Sequence, residues 1–249
     1  MTDAILVGKG PKKIIALHGW FGSAAAWEPF FGAIDPQRYS YAFIDYRGYG
    51  KRKNATGAFT IDEIATDALA LADELGWQRF SLVGHSMGGK AAQRVHVKAP
   101  QRVEALVGIS PVPATGVPFD EGSWNFFSSA AGDVGVRAAI IDNTTGQRLS
   151  KYWSRTLAER SWGESTQAAF AAYLLAWAKD DFSGEVKDNG LAVKVIVGEH
   201  DPALSADVMR GTYLAWYKKA ELEIMPNAGH YAPDETPVAL ASSLEKFFA

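Results

Sequence analysis

The chain has 249 residues, 47% of them hydrophobic and 21% charged, with a formal net charge of −3. Its length allows one large α/β domain or two small ones, and its ordinary, slightly acidic composition gives no footing for nucleic acid or an anionic membrane surface. It contains no cysteine, which removes disulfides, thiolate nucleophiles and thiolate-held metals and fits a reducing compartment.

The opening stretch MTDAILVGKG carries an acid at Asp3 and no long apolar run, so it does not read as a secretory signal. No segment reaches the roughly 18 apolar residues of a membrane-spanning helix, and a cytoplasmic protein is expected. AILV (4–7) and KIIAL (13–17) are the first β-rich runs. YAFID (41–45), FSLVG (80–84), EALVGI (104–109), KVIVG (194–198) and ELEIM (221–225) follow. Runs that are apolar on both faces suit strands covered by helices on both sides. Between the third and fourth, Thr60 and Glu63 form a capping-box pattern, Ile61, Ile64, Ala68, Leu71 and Leu75 keep one helical face, and Gly76 ends the helix. Further helices are predicted over 90–98, stopped by Pro100, over 205–218, and over 237–248, with Thr236 as cap and Pro237 at the first position. The alternation predicts an α/β fold: a mostly parallel central sheet flanked by helices.

The middle of the chain breaks this rhythm. Segment 112–183 has no convincing strand and holds Trp124, Trp153, Trp162 and Trp177, half of the eight tryptophans. It reads as a helical cap inserted into a core made of 1–111 and 184–249. The aromatic residues could pack among themselves or line a pocket at the strand ends, and a lid needs a core of its own. Ligands in open α/β sheets bind beyond the carboxyl ends of the strands, so Trp124 and Trp153 are expected to bind substrate.

Gly84-His85-Ser86-Met87-Gly88 fits G-x-S-x-G at the junction of a predicted strand and helix. A sharp turn there exposes the Ser86 hydroxyl as a nucleophile and turns the Met87 amide towards a developing oxyanion. A serine needs a base, and five histidines are available. His85 adjoins Ser86, with its side chain expected to point away. His96 lies inside a helix, His18 braces a loop, and His200 sits beside the better-placed Asp201. His230, in the loop NAGHYAPDETP after the last strand, is the expected base. Asp201, after the strand KVIVG, is the expected orienting carboxylate, ahead of Glu199 and Asp207. The loop after KIIAL, HGWFGSAAAW, supplies the second oxyanion donor at the amide of Trp20, or of Phe21 if the loop is shifted by one. Phe21 is also a candidate wall of the substrate pocket. Lys51-Arg52-Lys53 reads as a solvated loop and not as an anion site. No metal or cofactor motif is present, so neither is expected.

His18-Gly19, Asp45-Tyr46-Arg47-Gly48-Tyr49-Gly50, the GHSMGG elbow, the G-x-x-D-P turn at Asp201 and the A-G-H loop at His230 together resemble the α/β-hydrolase superfamily over nearly the whole chain. Within it, the sequence is similar to the small cap-bearing carboxylesterases and carbon–carbon hydrolases. The resemblance implies ester hydrolysis through an acyl-enzyme, by a monomer or homodimer, and the aromatic middle segment predicts small to medium apolar or aromatic substrates. A serine nucleophile separates the chain from the dehalogenases and epoxide hydrolases of this fold, which use Asp. Carbon–carbon hydrolysis, peroxide chemistry on the same triad and ligand reception are the alternatives the resemblance leaves open.

Overall fold

The computed structural model describes residues 3–249. Met1 and Thr2, the start of the predicted 1–111 segment and of the MTDAILVGKG stretch, lie outside the described residues.

Seven strands form one sheet in the order β1-β3-β2-β4-β5-β6-β7. They are β1 (Ile5–Val7), β2 (Lys12–Leu17), β3 (Tyr39–Ile44), β4 (Phe80–His85), β5 (Val103–Ile109), β6 (Asn189–Gly198) and β7 (Tyr217–Met225). Only β1 runs antiparallel, against β3. Side chains alternate between the two faces, as a strand requires. Ile15, Leu17, Leu82 and Leu106 face one side, beneath α2 (Ile61–Glu74) and α3 (Met87–Lys98). Ile14, Ala16, Val83 and Val107 face the other, where Trp27, Phe30, Leu240 and Leu244 cover them. The last two of these lie on the C-terminal helix, Pro237–Phe247. Both faces are therefore buried, which is why the strands read as unbroken apolar runs.

The helix cap at Thr60 forms as its sequence predicts. Thr60 Oγ1 accepts from Glu63 N at 3.1 Å. The Glu63 carboxylate reaches back to the amides of Ala58 and Phe59, one residue earlier than the standard box. Elsewhere the chain departs from expectation. The helix predicted over 90–98 starts at Met87, because the glycine pair hides its first turn. The helix predicted over 205–218 is two short ones, Ala206–Gly211 and Tyr213–Trp216, broken at Thr212 with φ −126° and ψ −92°. β7 then begins at Tyr217, not at 221, and pairs only with β6. It is an edge strand with exposed Lys218, Lys219 and Glu221, and those charges disguise its start.

Between β5 and β6 the described chain is helical: α4 (Glu121–Ser129), α5 (Val134–Thr144), α6 (Lys151–Glu164), α7 (Gln167–Lys179) and α8 (Ser183–Val186). The boundary expected after 183 falls inside α8. Arg137 on α5 is fully buried in this layer. It donates to Ala130 O at 2.9 Å, to Ser161 Oγ at 3.0 Å and to Ser165 Oγ at 2.9 Å, and its guanidinium lies 3.5 Å over the Phe170 ring. One cation thus ties α5, α6 and α7 together without a carboxylate partner. Among the described residues no helix is long and apolar enough to cross a membrane.

The junction of β4 and α3 tolerates no side chain. A Cβ on Gly84 would lie 2.3 Å from Gly88 O, and one on Gly88 would lie 2.2 Å from Leu17 O. Gly163, at the exposed end of α6, meets nothing within 4 Å. Gly84→Ala should therefore destabilise by about 1–3 kcal/mol or more, lowering Tm by roughly 2–12 °C. Gly163→Ala should stabilise by up to about 1 kcal/mol. Thermal melts of both variants against the parent check the opposite signs.

Candidate active site

The order β3-β2-β4 means that the chain builds outward in both directions from a point between β2 and β4. Open α/β sheets have their crevice at such a point. The register puts Leu17 opposite Gly84, so the loops after β2 and β4 leave the sheet side by side. Gly198 stands opposite Met225, which does the same for the loops after β6 and β7.

Ser86 takes φ 55° and ψ −119°, a conformation that side chains other than glycine rarely adopt. Its neighbours hold it there. Ser86 N donates to Ile109 O at 2.9 Å, and Ser86 O accepts from Gly89 N at 2.9 Å and Val112 N at 3.0 Å. A trans peptide points its N–H opposite to its C=O. Fixing the Ser86 carbonyl therefore aims the Met87 N–H the other way, at the N-terminus of α3.

The β2 loop is fixed by the same device. Tyr46 N donates to His18 Nε2 at 3.4 Å, which leaves the proton on Nδ1 to donate to Gly19 O at 2.8 Å. Gly22 N also reaches Gly19 O, at 3.0 Å. The Trp20 N–H must then point away from the His18 ring. Tyr46 and Tyr49 brace the loop further, donating from their hydroxyls to His18 O at 2.8 Å and Trp20 O at 3.0 Å. The DYRGYG turn is thus a support for this loop. Lys51-Arg52-Lys53 belongs to that support as well, and is less solvated than expected. Arg52 pairs with Asp67 at 2.9 Å, and Lys53 Nζ donates to Gly163 O at 2.6 Å.

His230 Nδ1 donates to Asp201 Oδ2 at 2.7 Å. Asp201 Oδ1 accepts from Ala203 N at 3.0 Å and Leu204 N at 3.1 Å. Burial would push this carboxyl up. The His230 ring and the two amides outweigh it and hold Asp201 below the usual carboxylate range. Both other acids considered at this turn are elsewhere engaged: Glu199 lies 3.6 Å from His200, and Asp207 pairs with Arg210 at 2.6 Å. With Nδ1 committed to Asp201, His230 Nε2 carries a lone pair, and His230 lines the cleft that Ser86 shares. Ser86 Oγ and His230 Nε2 are not hydrogen-bonded to one another here, and such bonds commonly close only around substrate.

His85 is buried and is tied to the His230 loop. Its Nε2 donates to His230 O at 2.8 Å, and the two rings are 5.1 Å apart. His96 is packed within α3.

The cleft has two arms, and Trp20, Phe21, Ser86, His230 and Tyr231 line both. Phe21, the expected wall of the substrate pocket, is thus placed along the cleft. Trp124 and Trp153 line neither arm. Lys179 Nζ sits 4.4 Å over the Trp124 ring, and Trp153 packs on Tyr231 at 5.8 Å. Their places are taken by Phe127 and Trp177 in one arm and by Leu157 and Arg160 in the other. Aromatic content marked this segment in the sequence, but not which rings turn inward.

Burial pushes His18 down to about 4 and, with the nearby His230, His85 down to about 3. Both rings are neutral in the fold, whereas the unfolded chain protonates them below about pH 6.5. Folded values below unfolded ones stabilise the protein above pH 6.5, and that contribution is lost as pH falls. Unfolding free energy should drop by about 3 kcal/mol between pH 6.5 and 5 through these two rings. His85→Gln should lower that slope by about one proton, measured by urea titration across the range.

Comparison with known proteins agrees with this architecture. The alpha/beta hydrolase fold family matches residues 12–237. The chain is 28% identical over 150 residues to a pimeloyl-[acyl-carrier protein] methyl ester esterase of Pectobacterium carotovorum, covering 60% of this chain and 51% of that protein. It spans about half the length of that relative, and less of some others. A bromoperoxidase from Bacillus anthracis superposes with a TM-score of 0.85 at 19% identity, over 98% of this chain and 94% of that one. An esterase from Exiguobacterium antarcticum does so with a TM-score of 0.87 at 15% identity, over the same shares. With a family match that takes in the β2 loop, the elbow, Asp201 and His230, the chain belongs to the α/β-hydrolase fold family.

Proposed function

We propose that the protein is a serine hydrolase that cleaves carboxylic esters of small to medium apolar or aromatic substrates. The observation that carries this reading is the Asp201–His230 hydrogen bond of 2.7 Å, set in the same cleft as a strained, largely buried Ser86. Ser86 Oγ attacks the ester carbonyl carbon while His230 Nε2 takes its proton. The carbonyl oxygen becomes an oxyanion, received by the N–H groups of Met87 and Trp20. Collapse breaks the bond to the alcohol, to which His230 returns the proton, leaving an acyl-Ser86. A water then gives its proton to His230 and attacks the acyl carbon, and the acid departs as Ser86 regains its hydrogen. Asp201 keeps the imidazole in the required tautomer and stabilises its cation at each stage.

In this reading the helices of 112–183 act as a cap. They furnish Phe127, Ile140 and Trp177 to the apolar arm, beside Val112 and Leu204. Such a wall favours apolar acyl or aryl groups.

The decisive experiment is hydrolysis of p-nitrophenyl esters from acetate to decanoate. Wild type should turn them over with an optimum that sizes the apolar arm. Ser86→Ala should fold and lose kcat by about 10³-fold or more, and Asp201→Asn by about 10²–10⁴-fold. Full activity in Ser86→Ala would sink the mechanism. A well-folded wild type without turnover on any member would sink the ester assignment and leave carbon–carbon cleavage or ligand reception on the same site.

A further inference from the structure

The two arms of the cleft differ in chemistry. One is walled by aromatic and aliphatic side chains. The other is lined by Trp27 and Leu157 and also by Arg160 and Asp234. Arg160 lies on α6 one turn beyond Leu157, and Asp234 lies in the short helix Ala232–Glu235 that follows His230.

A guanidinium has five N–H donors and stays charged at every working pH. Other arginines in this protein use theirs. Arg47 gives Nε and Nη2 to Asp67 and Nη1 to Thr56 O. The buried Arg137 bonds a carbonyl and two hydroxyls. Arg160 is different. Among the described residues its Nε and Nη2 are enclosed by protein and have no hydrogen-bond partner. Asp234 Oδ1 stands 3.7 Å from Nη2, where charges attract without a formed hydrogen bond. Asp234 is itself buried, and its carboxyl is pushed up to about 6, burial outweighing the arginine's charge. Above that pH its charge faces the guanidinium at 3.7 Å and leaves Nε and Nη2 without a formed hydrogen bond.

An apolar wall has no use for such a residue, as Leu157 one turn earlier illustrates. An under-coordinated cation in a half-buried cleft is costly unless something completes its hydrogen bonds. We propose that Arg160 is an anion-recognition residue of this site, so that the substrate carries a carboxylate on the arm lying toward α6 and an apolar group on the other. The proposal rests on the serine-hydrolase reading of Ser86 and narrows its substrate class. The fork of the guanidinium matches the two oxygens of a carboxylate. A purely structural role, latching α6 to the loop after His230, is the competing account. It makes the arginine indifferent to the charge of the substrate.

The test uses ester pairs that differ only in that charge. One pair places it on the alcohol side, 4-(butanoyloxy)benzoate against 4-(butanoyloxy)benzamide. The other places it on the acyl side, monophenyl glutarate against its terminal amide. Binding to the full-length Ser86→Ala protein is measured by calorimetry, and again with Arg160→Gln added. One carboxylate should bind about tenfold or more tightly than its amide, and Arg160→Gln should bring that ratio close to one. A ratio near one in Ser86→Ala, no binding by either carboxylate, or a ratio that survives Arg160→Gln overturns the proposal. Equal weakening of both members by Arg160→Gln is such a surviving ratio and identifies a latch. Turnover of the same pairs by wild type is read separately. Its absence counts against the ester reading, while the binding ratio still decides the role of Arg160.

Discussion

The contact between Gly88 and the Leu17 carbonyl constrains everything at the strand ends. A Cβ at that glycine would fall 2.2 Å from the oxygen, so the first turn of α3 lies directly against the end of β2. This approach brings the Ser86–Met87 peptide beside the loop at Gly19, where a Cβ would stand 3.2 Å from that of Ser86. Two peptide planes that would otherwise be free to rotate then face one cleft. Each is locked from behind through its carbonyl, by Gly89 and Val112 at Ser86 and by His18 and Gly22 at Gly19. Donors fixed before a charge develops need no reorganisation when it does, and this is where electrostatic stabilisation gains most.

The helical layer is bonded to these loops as well as resting on them. Trp20 Nε1 donates to Phe170 O at 2.8 Å, and the two rings stack with centroids 4.0 Å apart. His230 N donates to Thr144 O at 3.1 Å, at the C-terminal end of α5. Lys90, buried at the start of α3, gives its ammonium to Trp177 O and Asp180 O at the end of α7. Burial lowers that lysine to about 8, yet it remains largely protonated at neutral pH, facing carbonyls at a helix C-terminus. The loops after β2 and β7 and the first turn of α3 therefore each carry a polar tie to the layer above. Displacing the layer as one body would break hydrogen bonds next to Trp20, Ser86 and His230 together.

Much of this was legible in the sequence, for reasons that differ by residue. Ser86 could be found because its motif needs glycines at fixed offsets from a strand end, and those constraints are local. His230 and Asp201 were reachable by elimination, since each stands in a loop shortly after a strand end, at Met225 and Gly198. Trp124 and Trp153 were placed wrongly in the pocket, because aromatic content shows that a segment packs and not which rings turn inward. The start of β7 was hidden because an edge strand carries charge on its open side. Arg160 left no local signal at all. It reaches the cleft only through the way α6 lies across the loop after His230, which depends on Arg137 drawing α5, α6 and α7 together.

Two buried carboxylates flank His230, and their different surroundings explain why only one can serve it. Asp201 meets an imidazole and two backbone amides within 3.1 Å, and these keep it ionised against the cost of burial. Asp234 has a single guanidinium at 3.7 Å and is pushed upward. A carboxylate that stabilises an imidazolium must hold its charge when the ring gains a proton, and hydrogen bonds to the charged form secure that. Were Asp234 the partner, the proton taken from Ser86 could pass on to it, and the imidazole would lose its fixed tautomer. In the proposed serine hydrolase, separating two like groups by the number of donors each receives gives one the role of orienting the base and leaves the other to position Arg160.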